Sequence, residues 1–325
     1  MSLVIKSLIS LGLLAGIVWM FGGIDKLLRV MAGMDVGYVI LALAVSTADR
    51  ALMTFKWVWL LKGRGVLLPL LKGMKIYCAA MVWSSFLPST IGSDVIRAVC
   101  TSRAGLDYKE VVASIVIERM IGFLSALVLG LVGVVLLSRL TPLGPQLQGV
   151  LWMGGFVLLG AAMLFAASFS HKPYELLHDR LFSRLQHVGA FRRIRDVHST
   201  YMSYESARPG LVKFFGMTLA EQMLTIVFAW IIARGLGVDV GLLYVAGALP
   251  LAVLVSQLPI SINGLGLFEG VFVALMSLAG VPPEASIAIA LIGRILQVVS
   301  WLPWWLAYVI ERGKIGRPTV AAGGP

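Results

Sequence analysis

Leu87-Pro88-Ser89-Thr90-Ile91-Gly92-Ser93-Asp94-Val95-Ile96-Arg97 interrupts an apolar run with a helix breaker, a glycine and then charge. The same order returns at Leu258-Pro259-Ile260-Ser261-Ile262-Asn263-Gly264-Leu265-Gly266-Leu267-Phe268-Glu269. Each stretch is followed by an apolar helix with a lone arginine, Arg119 after Ser114-Ile115-Val116-Ile117 and Arg294 after Ser286-Ile287-Ala288-Ile289. Pro88 to Arg119 spans 31 positions and Pro259 to Arg294 spans 35. Repeated, broken hydrophobic segments are the best sequence pointer to a transporter's binding site.

Composition places these breaks in a bilayer. The chain is 59% hydrophobic and 13% charged, with a mean hydropathy of +0.92, and a water-soluble fold would leave far too much apolar surface exposed. Apolar runs near the length of about 20 residues that crosses the hydrocarbon as a helix occupy 3–23, 36–60, 111–138, 150–169, 212–235 and 284–310. Segments of this length indicate helices, since a barrel shows alternating segments of about ten residues. Leu8 to Val18 lacks a clear small-residue cleavage site and reads as part of a retained span.

Basic short loops stay in the cytoplasm. Lys62, Arg64, Lys72 and Lys75, the basic 171–213 segment, and Arg312, Lys314 and Arg317 therefore belong inside, while the connections near 139–149 and 235–241 belong outside. The expected fold is an all-α polytopic membrane domain over 1–325, with six full spans and two re-entrant helical hairpins. Repeat 1 covers 72–138 with a hairpin at 76–100. Repeat 2 covers 241–310 with a hairpin at 241–280, entering from the opposite face as an inverted repeat. A basic amphipathic loop at 171–208 and a tail at 311–325 would be cytoplasmic, as would both termini. Hairpins that cross fully are the alternative, and they conflict with at least one basic loop.

Backbone freed by Pro88, Gly92, Pro259, Gly264 and Gly266 cannot face lipid, because unsatisfied amides cost several kcal/mol there. A single break would read as a kink or a packing device. Two breaks, each followed by a carboxylate and later an arginine, read as a polar site. Nine charges lie within the spans and hairpins: Asp49, Arg50, Asp94, Arg97, Glu118, Arg119, Glu221, Glu269 and Arg294. Each costs about 2.5–3.5 kcal/mol at a helix centre, so they pair with one another or serve a function. Adjacent Asp49 and Arg50, or Glu118 and Arg119, would each reach different neighbours. In the functional reading Arg50, Arg97, Arg119 and Arg294 bind an anion through the planar guanidinium fork. Asp94, Glu118 and Glu269 are the pairing or proton-coupling carboxylates, since burial pushes a carboxylate's pKa upward.

The Leu-Pro-x-x-x-Gly-x-Asp-x-x-Arg stretch at 87–97, Ile117-Glu118-Arg119, and Leu258-Pro259 through Gly264-x-Gly266-x-x-Glu269 resemble the lysylphosphatidylglycerol synthase transmembrane region family. Arg50 followed by Trp57 and Leu60-Leu61 fits the same pattern, and the resemblance covers roughly 3–312. It implies a flippase-type lipid translocation domain, with Gly92, Asp94, Arg97, Glu118, Arg119, Gly264, Gly266, Glu269 and Arg294 at corresponding motif positions. The soluble synthase domain of aminoacylating members is absent, so the expectation is a non-enzymatic protein.

In the basic loop, Tyr174, Leu177, Leu181, Leu185 and Val188 recur at helical spacing, as in a helix lying on an anionic leaflet. The four histidines, His171, His178, His187 and His198, show no metal-ligand spacing, so no metal or other cofactor is expected. The formal charge of +11 fits anionic membrane lipids as partners and lacks the aromatic interleaving of a nucleic-acid surface. Cys78 and Cys100 flank the first hairpin as labelling handles. Walker, Rossmann and serine-nucleophile motifs are absent. Three readings follow: a translocator of an anionic phospholipid or polyprenyl phosphate with proton coupling, an intramembrane enzyme using Glu118 or Asp94 as base, and a membrane partner of a separate lipid- or glycan-modifying enzyme.

Overall fold

Five of the apolar runs form helices long and apolar enough to cross a membrane: Val36–Lys62, Tyr108–Leu140, Leu151–Ser168, Pro209–Gly235 and Pro283–Glu311. The computed structural model describes residues 29, 32–85, 92–141, 144–168, 197, 199–204, 208–258 and 264–315, and no strand occurs among them. The 3–23 run, Pro88, Pro259 and the 171–196 segment with its amphipathic pattern lie outside the described residues.

The helices are α1 (Val36–Lys62), α2 (Leu70–Ser85), α3 (Gly92–Arg103), α4 (Tyr108–Leu140), α5 (Gly144–Ser168), α6 (Arg208–Gly235), α7 (Leu242–Ser256), α8 (Leu267–Ser277) and α9 (Pro283–Ile315). Local chemistry sets several boundaries. Asp35 accepts from the Gly37 amide at 2.7 Å and Asp107 from the Lys109 amide at 2.9 Å, so each satisfies an amide that the first helical turn leaves unbonded. Gly266 caps α8 at φ 79°, a conformation costly for any residue with a side chain. The Pro-Gly breaks separate α2 from α3 and α7 from α8, and each pair packs together.

Lengths and contacts recur along the chain. α1 to α4 contain 27, 16, 12 and 33 residues, and α6 to α9 contain 28, 15, 11 and 33. α4 packs on α7 as α9 packs on α2, and α1 packs on α9 as α6 packs on α4. α1 and α6 pack on each other and run antiparallel: Gly235 at the end of α6 lies against Met34 and Tyr38, while Gly210 near its start lies against Trp59. α5 stands outside this pattern and packs chiefly on α4.

One end of the bundle is basic. There the end of α1 meets the start of α4, with Arg64 donating to both oxygens of Glu110 at 3.1 and 3.2 Å. Lys75, in the second turn of α2, pairs with Glu311 near the end of α9. Lys72 and Lys75 thus sit inside a helix that starts at Leu70, because the apolar run extends back past them, rather than in a loop before position 76. At the opposite end, Trp230 Nε1 donates to the Val240 carbonyl and Tyr244 Oη to that of Leu275, joining the ends of α6 and α8 to the start of α7.

The described residues of the 171–208 segment, 197, 199–204 and 208, follow the 174–188 stretch of the expected surface helix. Tyr201, Met202 and Tyr204 are buried against Leu60, Ile117 and Phe214 at the basic end. Their apolar rings pack into protein because α1, α4 and α6 converge there.

Candidate functional site

Asp94 is the third residue of α3 and Glu269 the third of α8; Arg119 and Arg294 are each the twelfth residue of their helices, α4 and α9. The fold joins them in the same way. Arg119 Nε donates to Asp94 Oδ2 at 2.7 Å, and Arg294 Nε and its terminal nitrogen donate to Glu269 Oε1 at 3.1 and 2.7 Å. Carboxylate and arginine are 25 positions apart in both pairs. The four-residue excess seen between proline and arginine falls inside the second break.

Around Asp94 a second ion pair is added. Arg97, 3% exposed, lies 2.6 Å from Glu118 Oε2 and 3.6 Å from Asp94 Oδ1. Its guanidinium stands 4.6 Å from the ring centres of both Trp57 and Tyr77. Tyr77 Oη also donates to Glu118 at 3.1 Å, and Trp57 Nε1 donates to Ser114 at 3.1 Å, which fixes that ring. The two rings, 5.9 Å apart and edge-on to each other, flank adjacent sides of the guanidinium, and Glu118 takes one edge. Arg97 Nε and a second terminal nitrogen have no hydrogen-bond partner among the described residues. Buried donors left open in this way are costly unless something else binds them.

A third group spans α1 and α6. Lys56, 2% exposed, donates to Glu221 at 2.9 Å and to Thr218 at 3.2 Å, with the Phe214 ring 5.4 Å away. Arg50 donates to Asp49 through Nε at 2.8 Å and lies 4.0 Å from Glu221. Asp49 and Arg50 thus pair with each other, and the arginine alone also approaches a separate neighbour, Glu221. Glu118 and Arg119 do reach different partners, Arg97 and Asp94.

Arg97, Arg119, Asp94 and Glu118 meet Lys56 and Glu221 around one cavity of about 280 Å³. Met53, Phe123, Leu129, Leu249 and Val253 supply an apolar wall. The volume approaches the lower end of the roughly 300–1,000 Å³ typical of small-ligand pockets, which suits a head group and not a whole lipid. The Arg119 side chain is 52% exposed. Arg294 and Glu269 stand apart from this cavity. Glu269 is 0% exposed and accepts from the Gly266 amide at 2.7 Å, so it closes the start of α8 as well as holding Arg294. Gly92, buried at the start of α3, and Gly264, at φ 69°, flank the two breaks.

Lys56 escaped the sequence reading because it stands in the apolar 36–60 run. Its spacing from Asp49, two helical turns on the same face, was the available signal. With Lys56 the charges set within the spans and hairpins become five carboxylates and five cations. Tyr77, Gln222 and Thr218 also join the site only through the fold. Cys78 and Cys100 are free and buried, so they are poor labelling handles in this conformation.

The model of the lysylphosphatidylglycerol synthase TM region matches residues 4–303. The chain belongs to this family. A UPF0104 membrane protein of Methanothermobacter thermautotrophicus is 24% identical over 316 residues, covering 86% of this chain and 88% of that protein. No solved structure matches the chain. Membership, together with the long apolar helices, makes this a multi-pass helical membrane protein of the lysylphosphatidylglycerol synthase TM region family.

Proposed function

We propose that this family member translocates lipids whose head groups carry a phosphoryl anion across the cytoplasmic membrane. The observation that carries the reading is Arg97: a guanidinium buried against two aromatic rings that meet edge-on beside the cavity, with two nitrogens left open. Arginine keeps its charge when buried and offers paired donors to phosphoryl oxygens. Arg119, on the more exposed side, captures the anion first and Arg97 receives it. The apolar wall runs beside the tails, which stay in lipid. The synthase chemistry in the family's description requires no counterpart in this chain's site.

The same reading assigns α1–α4 and α6–α9 as two units of opposite orientation. Their matched lengths and the antiparallel packing of α1 on α6 support it. The α2–α3 and α7–α8 arms contain 11 to 16 residues, short of the roughly 20 that a full crossing takes. They are re-entrant hairpins opening to opposite faces, with the basic end and both termini in the cytoplasm. Rocking one unit against the other exposes the polar centre to each side in turn. A phosphoryl group that takes Arg119 leaves Asp94 facing Arg97 alone.

Reconstitution in proteoliposomes tests this directly. Fluorescent phospholipids and a polyprenyl phosphate are compared for wild type and Arg119→Ala. Translocation of one lipid class by wild type, lost in the folded variant, is the expected result. An unmoved lipid pool in correctly oriented vesicles removes the proposal. A chemically altered lipid in mass spectra turns it into an enzyme, and activity that needs a second protein turns it into a partner subunit.

A further inference from the structure

Trp301 and Trp305 stand nineteenth and twenty-third in α9, where α4 carries Ala126 and Gly130. Ala126 lines the cavity, so the second half places an indole ring at a position that the first half leaves open. Both indole nitrogens are buried and neither has a hydrogen-bond partner among the described residues. An indole N–H only donates, and a buried donor without an acceptor is destabilising.

Trp301 has a cation beside it. Arg50 lies over its ring, 5.9 Å from the centroid. Ser46 and Ser300 meet at 2.8 Å and hold α1 against α9 at this level. The edge of Trp305 is set by Trp83, whose ring centre lies 6.2 Å away. Arg50 is also 4.0 Å from Glu221, so one ion-pair contact links this group to the wall of the cavity. The carboxylate facing this group is Asp49, which holds Arg50 and keeps one oxygen without a partner.

We propose that Arg50, Trp301 and Trp305 form a second anion station, which takes the phosphoryl group after it leaves Arg97. This rests on the translocation reading given above. The first station has two open guanidinium nitrogens; the second has one guanidinium and two indole donors. Asp49 neutralises Arg50 while the station is empty and yields it when a phosphoryl oxygen arrives. Weaker donors suit a release site, because an anion held as tightly at both stations would not leave.

Trp301→Phe separates this role from packing, since it keeps an aromatic ring and removes the N–H. If Trp301 only packs, losing an unpaired buried donor leaves the protein as stable or more so and translocation unchanged. The station predicts an unfolding midpoint at least as high as wild type and translocation slowed about tenfold, the loss expected for one hydrogen bond to a charged group. Equal translocation by Trp301→Phe and wild type overturns the station and leaves the first reading intact. If wild type moves none of the lipids, the first reading falls, and protection against heat by sn-glycerol 3-phosphate decides the second. Protection weakened in Trp301→Phe supports the station, and equal or absent protection overturns it.

Discussion

Helix for helix, the two halves share a frame and differ in what fills it. Asp49 and Glu221 are each fourteenth in α1 and α6, and the Asp94–Arg119 and Glu269–Arg294 pairs occupy equal positions in the later helices. At the remaining charged positions the halves part. Lys56, Arg97 and Glu118 in the first half stand where the second has Phe228, Phe272 and Gly293, counted along α1 and α6, α3 and α8, and α4 and α9. Phe272 stacks on Phe268 with ring centres 5.6 Å apart. The carboxylate–arginine pairs are thus common to both halves, and on the translocation reading it is the surplus charge of the first half, with Arg119, that would first bind the phosphoryl group.

Arg97→Ala strikes that surplus hardest. It strands Glu118 in a buried site, and such losses cost about 3–5 kcal/mol; thermal unfolding in detergent should show this alongside loss of translocation. Arg97→Lys should fold better than Arg97→Ala yet bind phosphoryl groups poorly, because an ammonium lacks the fork. On the second half, Glu269→Gln breaks the charge of a pair that also caps α8. A drop of about 1.5–3 kcal/mol is expected, the value of a hydrogen bond to a charged group. A variant that loses translocation at unchanged stability would erase the assignment of Glu269 to the frame.

Smaller effects sharpen the contrast further. A Cβ placed on Gly133 would lie 2.5 Å from the Gly247 carbonyl, so Gly133→Ala should cost about 1–3 kcal/mol through overpacking of α4 on α7. The matching contact of α9 on α2 involves larger side chains and should tolerate change better. Phe272→Leu should cost about 1–2 kcal/mol, because the smaller side chain leaves part of the buried ring's volume empty, and leave translocation rates near wild type. A strong loss of transport from Phe272→Leu with normal unfolding would extend the first anion site to α8 of the second half.

The spans and breaks were legible because hydropathy and helix breaking are local properties. Pro88 and Pro259 point to the two places where the chain passes from one short helix to another, although the prolines themselves lie outside the described residues. The carboxylate–arginine spacing was legible too, once counted from the acid and not from the proline. Partnership was not. Nothing local distinguishes Asp49, which pairs with its neighbour Arg50, from Glu118, which reaches across to Arg97. Lys56 was hidden because an apolar run absorbs one long basic side chain without losing its hydrophobic character. Tyr201 and Tyr204 belong to a polar-looking stretch whose burial depends on three helices meeting elsewhere in the chain.

The Lys56–Glu221 pair has an electrical consequence. With Lys56 included, the carboxylates and cations of this set balance among the described helices, so on the translocation reading the empty protein would rearrange without moving net charge on them through the membrane. A potential of 100 mV acts on each transported elementary charge with about 2.3 kcal/mol. The cell's voltage would then leave the return of the empty carrier alone and act on the step that carries an anion without its proton.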